Sequence, residues 1–178
     1  MAVQTSVLVT PAAAFAGMLA DAIDLDITTV INKDSVSIPF GAVVAADPTD
    51  GAKMVKLPAA SGDTLWGIVV HKHDYARTFN LPDGTVAGNL DSVGLVPGTT
   101  MSMIRRGHIW VQVQQTVAMG DRLFVSYAVG APFTAKGQSG NATVASTTID
   151  ATRIGVFLTP AAAGGFAVLD VDFTNRNS

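Results

Sequence analysis

From Pro39 to the end of the chain, every apolar run is short and is closed by a turn. GAVVAA (41–46) stops at DPTDG, KMVKL (53–57) at PAASGD, RLFVSY (122–127) at AVGA, and RIGVFLT (153–159) at PAAAGG. Gly, Pro and Asp punctuate in this way because they supply the unusual or preset backbone angles of turns. Many short runs between such turns point to strands arranged as a sandwich or barrel. RRGHIWVQVQQ (105–115) adds strict alternation. Successive side chains of a strand point to opposite faces, so Ile109, Val111 and Val113 form a core face. Arg106, His108, Trp110, Gln112 and Gln114 form the other. All 14 acidic residues are Asp. Glu favours helices and Asp favours turns and caps, so its absence supports an all-β chain and removes Glu as a catalytic acid or metal ligand.

The expected fold class is all-β, a jelly-roll-like β-sandwich or barrel with an extended N-terminal arm and one short helix. The arm covers residues 2–10, within which VQTSVLVT alternates. The helix covers 12–22, where Phe15, Met18, Leu19 and Ala22 have i, i+3, i+4, i+7 spacing and Pro11 sits at the first turn. Arm and helix together make residues 1–25, and a single β domain takes 26–178. Asp24–Ile31 reads as a short strand. TTMSMIRR and HIWVQVQ read as two further strands, and PFTA as a partner to RLFVSY across AVGA. KGQSGNA reads as a flexible loop, and RIGVFLT with FAVLDVDF as a closing hairpin. The polar stretch 74–92 is an excursion loop with a tip at Pro82-Asp83-Gly84. Gly62-Asp63-Thr64-Leu65-Trp66 is echoed by Gly120-Asp121-Arg122-Leu123-Phe124, which reads as two related β lobes or, the reading preferred, as one turn solution used twice.

Composition narrows the function classes. A length of 178 residues suits one domain. Charged residues make up 14%, against roughly 25% in an ordinary soluble domain, and the mean hydropathy is +0.38. So few charges imply a surface rich in Thr, Ser, Asn and Gly, which is partly the case here, or one partly covered by partners, which is favoured as a contributor. A net charge of −3 disfavours nucleic acid, which calls for a basic field. With no cysteine there is no disulfide and no thiolate metal site. No apolar run is long enough to span a membrane. PAAAFAGMLADA (11–22) has an apolar stretch, but Lys33 is the first basic residue, so it is expected to be mature sequence rather than a secretory leader. The sequon Asn141-Ala142-Thr143 is accordingly read as chance.

Three histidines are the first candidates for chemistry. His71 and His73 share a strand face, and with His108 they give three imidazoles. That H-x-H spacing resembles the cupins, giving the alternative of a cupin-like metal-dependent enzyme using His71, His73 and His108. The cupin pattern calls for a Glu soon after, and HKHDYARTF offers only Asp74. No Ser lies in a G-x-S-x-G turn and no G-x-x-x-x-G-K loop occurs. Asp170 and Asp172 share a face of VLDVDF and read as a solvated face rather than a catalytic pair. Arg105, Arg106, His108 and Trp110 place basic groups beside an aromatic, but no second basic cluster accompanies them. The expectation is therefore no catalytic residue, no cofactor and no metal. A lectin-like sandwich holding glycan on Trp110 is a further alternative. Protein contact fits better, since Trp and Arg are enriched at interface centres. The residues expected to make it are Val7, Val9, Phe15, Met18, Arg106, Trp110 and Gln112.

The blocks PAAAFAGMLAD, SIPFGAVV, KLPAASGDTLWGIVVH, MIRRGHIWVQVQQTVAMGDRLFV and RIGVFLTPAAAGGFAVLDVDF occur in that order across nearly the whole chain. In order and spacing they resemble the cement, or head-decoration, proteins of tailed bacteriophages. The 74–92 excursion departs most from the family pattern. The resemblance implies a β-rich protein on the outer surface of the virion, made in the host cytoplasm and bound to the expanded shell of major capsid protein. It implies a homo-oligomer, dimer ahead of trimer, that bridges neighbouring capsomers against the pressure of packaged DNA. It implies no enzyme activity, no cofactor, no nucleic acid and no membrane.

Overall fold

The computed structural model describes residues 14–49, 53–71 and 94–174. Among them lie ten strands and no α-helix. β1 (Asp26–Asn32), β2 (Val43–Ala46), β3 (Met54–Lys56) and β4 (Leu65–Val69) precede a long β5 (Thr100–Gln112). β6 (Phe124–Ser126), β7 (Ser139–Gly140), β8 (Thr148–Asp150), β9 (Gly155–Phe157) and β10 (Phe166–Asp172) follow. The pairing order β1-β3-β2-β4-β5 closes on itself through β1–β5, so five strands form a barrel. β10 and β9 extend the same sheet beyond β5, and β7-β6-β8 form a small second sheet. The chain is all-β as expected, and it closes a barrel.

Two cores explain why the strand runs are so apolar. Val30, Val44, Val55, Val69, Met101 and Met103 belong to one buried cluster. Val43, Ile68, Ile104, Ile109, Val111, Leu123, Phe157 and Leu169 belong to the other. Neighbours in sequence such as Val43 and Val44, or Ile68 and Val69, therefore point into different cores. A wall buried on both sides reads as a continuous apolar run instead of an alternation.

β5 joins the two cores. Its first half pairs with β1, from Ile31 opposite Thr100 to Asp26 opposite Arg106. Its second half pairs with β10, from Asp172 opposite Arg106 to Phe166 opposite Gln112. The sequence suggested two strands here, and the structure forms one. Gly107 lies at the changeover with φ +125°, and a Cβ there would come within 2.7 Å of Leu25 Cδ2. Glycine lets the strand change partners without a break.

The expected helix over 12–22 does not form in its described part, 14–22. The chain instead lies along the edge of β5. Gly17 N–H donates to Trp110 O at 2.8 Å, Trp110 N–H to Met18 O at 2.8 Å, and Ala20 N–H to His108 O at 3.0 Å. Bonds to a ready strand edge displaced the local bonds of a helix, and Gly17 at φ +83° breaks the helical path. The i, i+3, i+4 spacing was a coincidence of an Ala-rich run. At Gly17 the segment crosses Gly41 (φ +73°) and the end of β4 so closely that a Cβ would lie 2.8 Å from Val69 O and 2.9 Å from the amide nitrogens of Gly41 and His71. His71 N–H closes the junction by donating to Gly17 O at 2.8 Å.

Two smaller expectations changed. PFTA does not pair as a strand with β6; only a Gly130–Phe133 bridge forms, and β6 pairs with β7 and β8 instead. KGQSGNA is well tied, because Gln138 Oε1 accepts from the amides of Thr134 and Ala135. The closing hairpin is present, with Leu169 opposite Phe157. The echoed turns share their closing bonds but differ in backbone, since Gly120 has φ +90° and Gly62 is not in the positive-φ region. Asp63 N–H donates to Ala60 O at 3.2 Å, and Ala60 N–H donates back to the Asp63 carboxylate at 3.1 Å. Asp121 N–H donates to Ala118 O at 3.2 Å, and Ala118 N–H donates to the Asp121 carboxylate at 2.9 Å.

Candidate functional site

The second half of β5 realises its alternation. Ile109, Val111 and Val113 are fully buried, Arg106 and Gln112 are exposed, and His108, Trp110 and Gln114 are half-buried. Residues paired across an antiparallel ladder share a face. Register therefore places Asp172 beside Arg106, Asp170 beside His108, Val168 beside Trp110 and Phe166 beside Gln112. The outer face is graded, with charge at the Arg106 end and apolar and amide groups at the Gln112 end.

The charged end is built from three segments. His108 Nδ1 lies 2.6 Å from Asp21 Oδ2, and His108 Nε2 lies 3.6 Å from Asp170 Oδ1. The first is a short hydrogen bond to a carboxylate, the second a looser contact. Arg106 pairs with Asp24 at 3.5 Å. The bond from His108, aided by the Ile23 N–H, holds the Asp21 carboxyl below its ordinary value. These groups surround a hollow of about 280 Å³ between Ile23, Gly107 and Val171. The imidazole thus links the segment 17–24 to β5 and β10. Asp21 and Asp24 were not singled out in the sequence, although the acidic spacing of DAIDLD (21–26), directly before a strand, was the available signal.

The other expected site residues are placed as follows. Phe15 packs edge-on against the His71 ring with centroids 4.4 Å apart, and Phe40 tilts against that ring at 4.6 Å. Met18 is half-buried, and its carbonyl serves the Trp110 amide. Gln112 donates from Nε2 to Gly164 O at 3.1 Å. Val7, Val9, His73 and the 74–92 excursion lie outside the described residues. His71 sits between aromatic rings while His108 is engaged by Asp21, so the structure puts these two imidazoles to separate uses. Among the described residues no group of three His, Cys, Asp or Glu is arranged to hold a metal ion. Asp172 accepts from the backbone and hydroxyl of Thr174. Asn141 of the sequon donates to Thr116 O and to Asp121. No helix of the described residues is long and apolar enough to cross a membrane.

Comparison with known proteins gives this surface a setting. The family described as "Structural cement protein (E217 gp24/Pam3 gp6)" matches residues 3–172. Among solved structures, a chain from "The capsid of Myoviridae Phage XM1" superposes with a TM-score of 0.65 at 18% identity, covering 97% of this chain and 98% of that one. At that identity the likeness is one of fold. The head fiber gp8.5 N base of bacteriophage phi29 is more distant, with a TM-score of 0.37 at 13% identity, over 84% of this chain and 95% of that one. No curated protein sequence matches. Since the family match runs through both cores and the graded face of β5 and β10, this chain belongs to the structural cement proteins of bacteriophage capsids.

Proposed function

We propose that this protein binds the outside of the expanded shell of major capsid protein, as a homo-oligomer, and bridges neighbouring capsomers against the pressure of packaged DNA. A dimer is the favoured state. The observation that carries this reading is the outer face of β5 and β10. Trp110 there is half-buried beside Val168, with Gln112 and Phe166 on one side and the Arg106–Asp24 pair on the other. A large aromatic at the centre with polar groups at its border is the arrangement of a protein contact. The low overall charge suits shape-specific contact with protein and not with a phosphate backbone. One copy of this size offers a modest contact area. Many copies on a symmetric shell, each touching more than one capsomer, multiply the effect through effective concentration. Nothing in the reading calls for catalysis or a cofactor.

The test is co-sedimentation of purified protein with expanded shells that lack it. Saturable binding at a fixed ratio to the capsid subunit supports the reading. Absence of binding to expanded and unexpanded shells alike overturns it.

A further inference from the structure

The turn Ala118–Asp121 is rigid. Besides its two internal bonds, Gly120 N–H donates to Phe157 O at 2.8 Å, Phe157 N–H donates to Asp121 O at 2.9 Å, and Asn141 Nδ2 donates to the Asp121 carboxylate at 2.6 Å. At the tip of this fixed turn stands Met119, 75% exposed, the most exposed large apolar side chain among the described residues. The echoed turn Ala60–Asp63 is closed by the same pair of bonds, Asp63 N–H to Ala60 O and Ala60 N–H to the Asp63 carboxylate, and carries Ser61 at the matching position. Those closing bonds are thus made without a methionine.

The surroundings point the same way. Val117 and Ala161 are bridged by two backbone bonds of 2.9 and 3.1 Å. That bridge sets the turn after β9 beside the Met119 turn. Ala118, Met119, Leu158, Pro160, Ala162 and Ala163 are all exposed there. The stretches TVAMGD and LTPAAAGG contain no Lys, Arg or His, and their one acid, Asp121, is engaged. Exposed apolar residues gathered on a hydrogen-bonded support mark a contact site. Methionine is a flexible, polarizable side chain suited to filling an apolar pocket.

We infer that this turn end seats Met119 in an uncharged apolar pocket of the capsid shell protein, as a contact separate from the Trp110 face. This rests on the reading of the chain as a shell-binding protein. Size selects the occupant. A stable pair of diffusing copies buries about 800 Å² on each partner, some 20–30 residues a side. Six small or medium residues fall well short of that. A patch of this size works when other contacts already hold the protein in place, which is the situation on a shell.

Wild-type protein, Met119→Ser and Leu158→Ser would be titrated onto expanded shells, with thermal unfolding and sedimentation of each protein alone as companions. The expected result is unchanged unfolding temperature and oligomeric state, with shell affinity at least about tenfold weaker for Met119→Ser and weaker in the same direction for Leu158→Ser. Wild-type binding matched by both variants overturns the inference and leaves the shell-binding reading standing. Loss of the wild-type oligomer in either variant assigns the patch to contact between copies and also overturns it. Failure of the wild type itself to bind removes the reading on which the inference rests.

Discussion

Gly17 is needed for two separate reasons. Its φ of +83° suits no side chain well, and a Cβ would press on three backbone atoms of β4 and of the Gly41 segment at 2.8–2.9 Å. Backbone cannot swing aside as a flexible side chain can. Gly17→Ala should therefore destabilise the protein by about 2 kcal/mol or more in denaturant unfolding. Gly62→Ala, where nothing lies within 4 Å, should stay within about 0.5 kcal/mol. Equal effects at the two sites would contradict the account of the junction. Asp21 provides a second test through pH. Its folded-state carboxyl is held below the ordinary value of 3.8 by the bond from His108 and then by the Ile23 amide. A lowered value means that the charged form is favoured by folding. The contribution is complete above the unfolded value, near ~3.9, and is lost as pH falls through the folded value. The difference in unfolding temperature between wild type and Asp21→Asn should be larger at about pH 6 than at about pH 3. A difference that does not change with pH would show that the carboxylate does not hold the 17–24 segment.

β5 is the element on which the proposed interaction surface depends, and much of it was legible in the sequence. Strict alternation identified both the buried Ile109, Val111 and Val113 and the outward Arg106, His108, Trp110 and Gln112, because one side of the strand meets a core and the other does not. Its continuity through Gly107 was not legible. A glycine between two apolar runs reads as a break unless the partners on each side are known. The segment 14–22 was misread for a related reason. Helical spacing is a local signal, whereas the edge of β5 that captures Gly17, Met18 and Ala20 is contributed from about ninety residues away. The acidic half of the graded face stayed hidden because Asp21 and Asp24 meet His108 and Arg106 only after that capture. At the element scale the consequence concerns Trp110. It is half-buried on the outer face, beside Val168, and is not part of either buried core. Trp110→Ala should leave the circular dichroism of the monomer unchanged and weaken association by at least about tenfold in a binding titration. An unfolded variant would assign the indole to the protein's own stability.

At the scale of the whole molecule, a closed barrel and a second core share one long strand, so the described chain has few places to yield without losing a core. A frame shared by two cores suits the proposed role of holding a shell together. The graded face and the Met119 turn end are built from strand pairing and hydrogen-bonded turns. They are set on one frame, so under the proposed reading the two faces would engage neighbouring subunits together. Membership of the structural cement family gives that arrangement its setting. The most direct measurement is the rupture temperature of expanded shells, taken with and without saturating amounts of this protein. Binding at a fixed ratio to the capsid subunit is expected, with rupture several degrees higher for the decorated shells. Shells that bind the protein at saturation yet rupture at the same temperature as bare shells would contradict the proposed role.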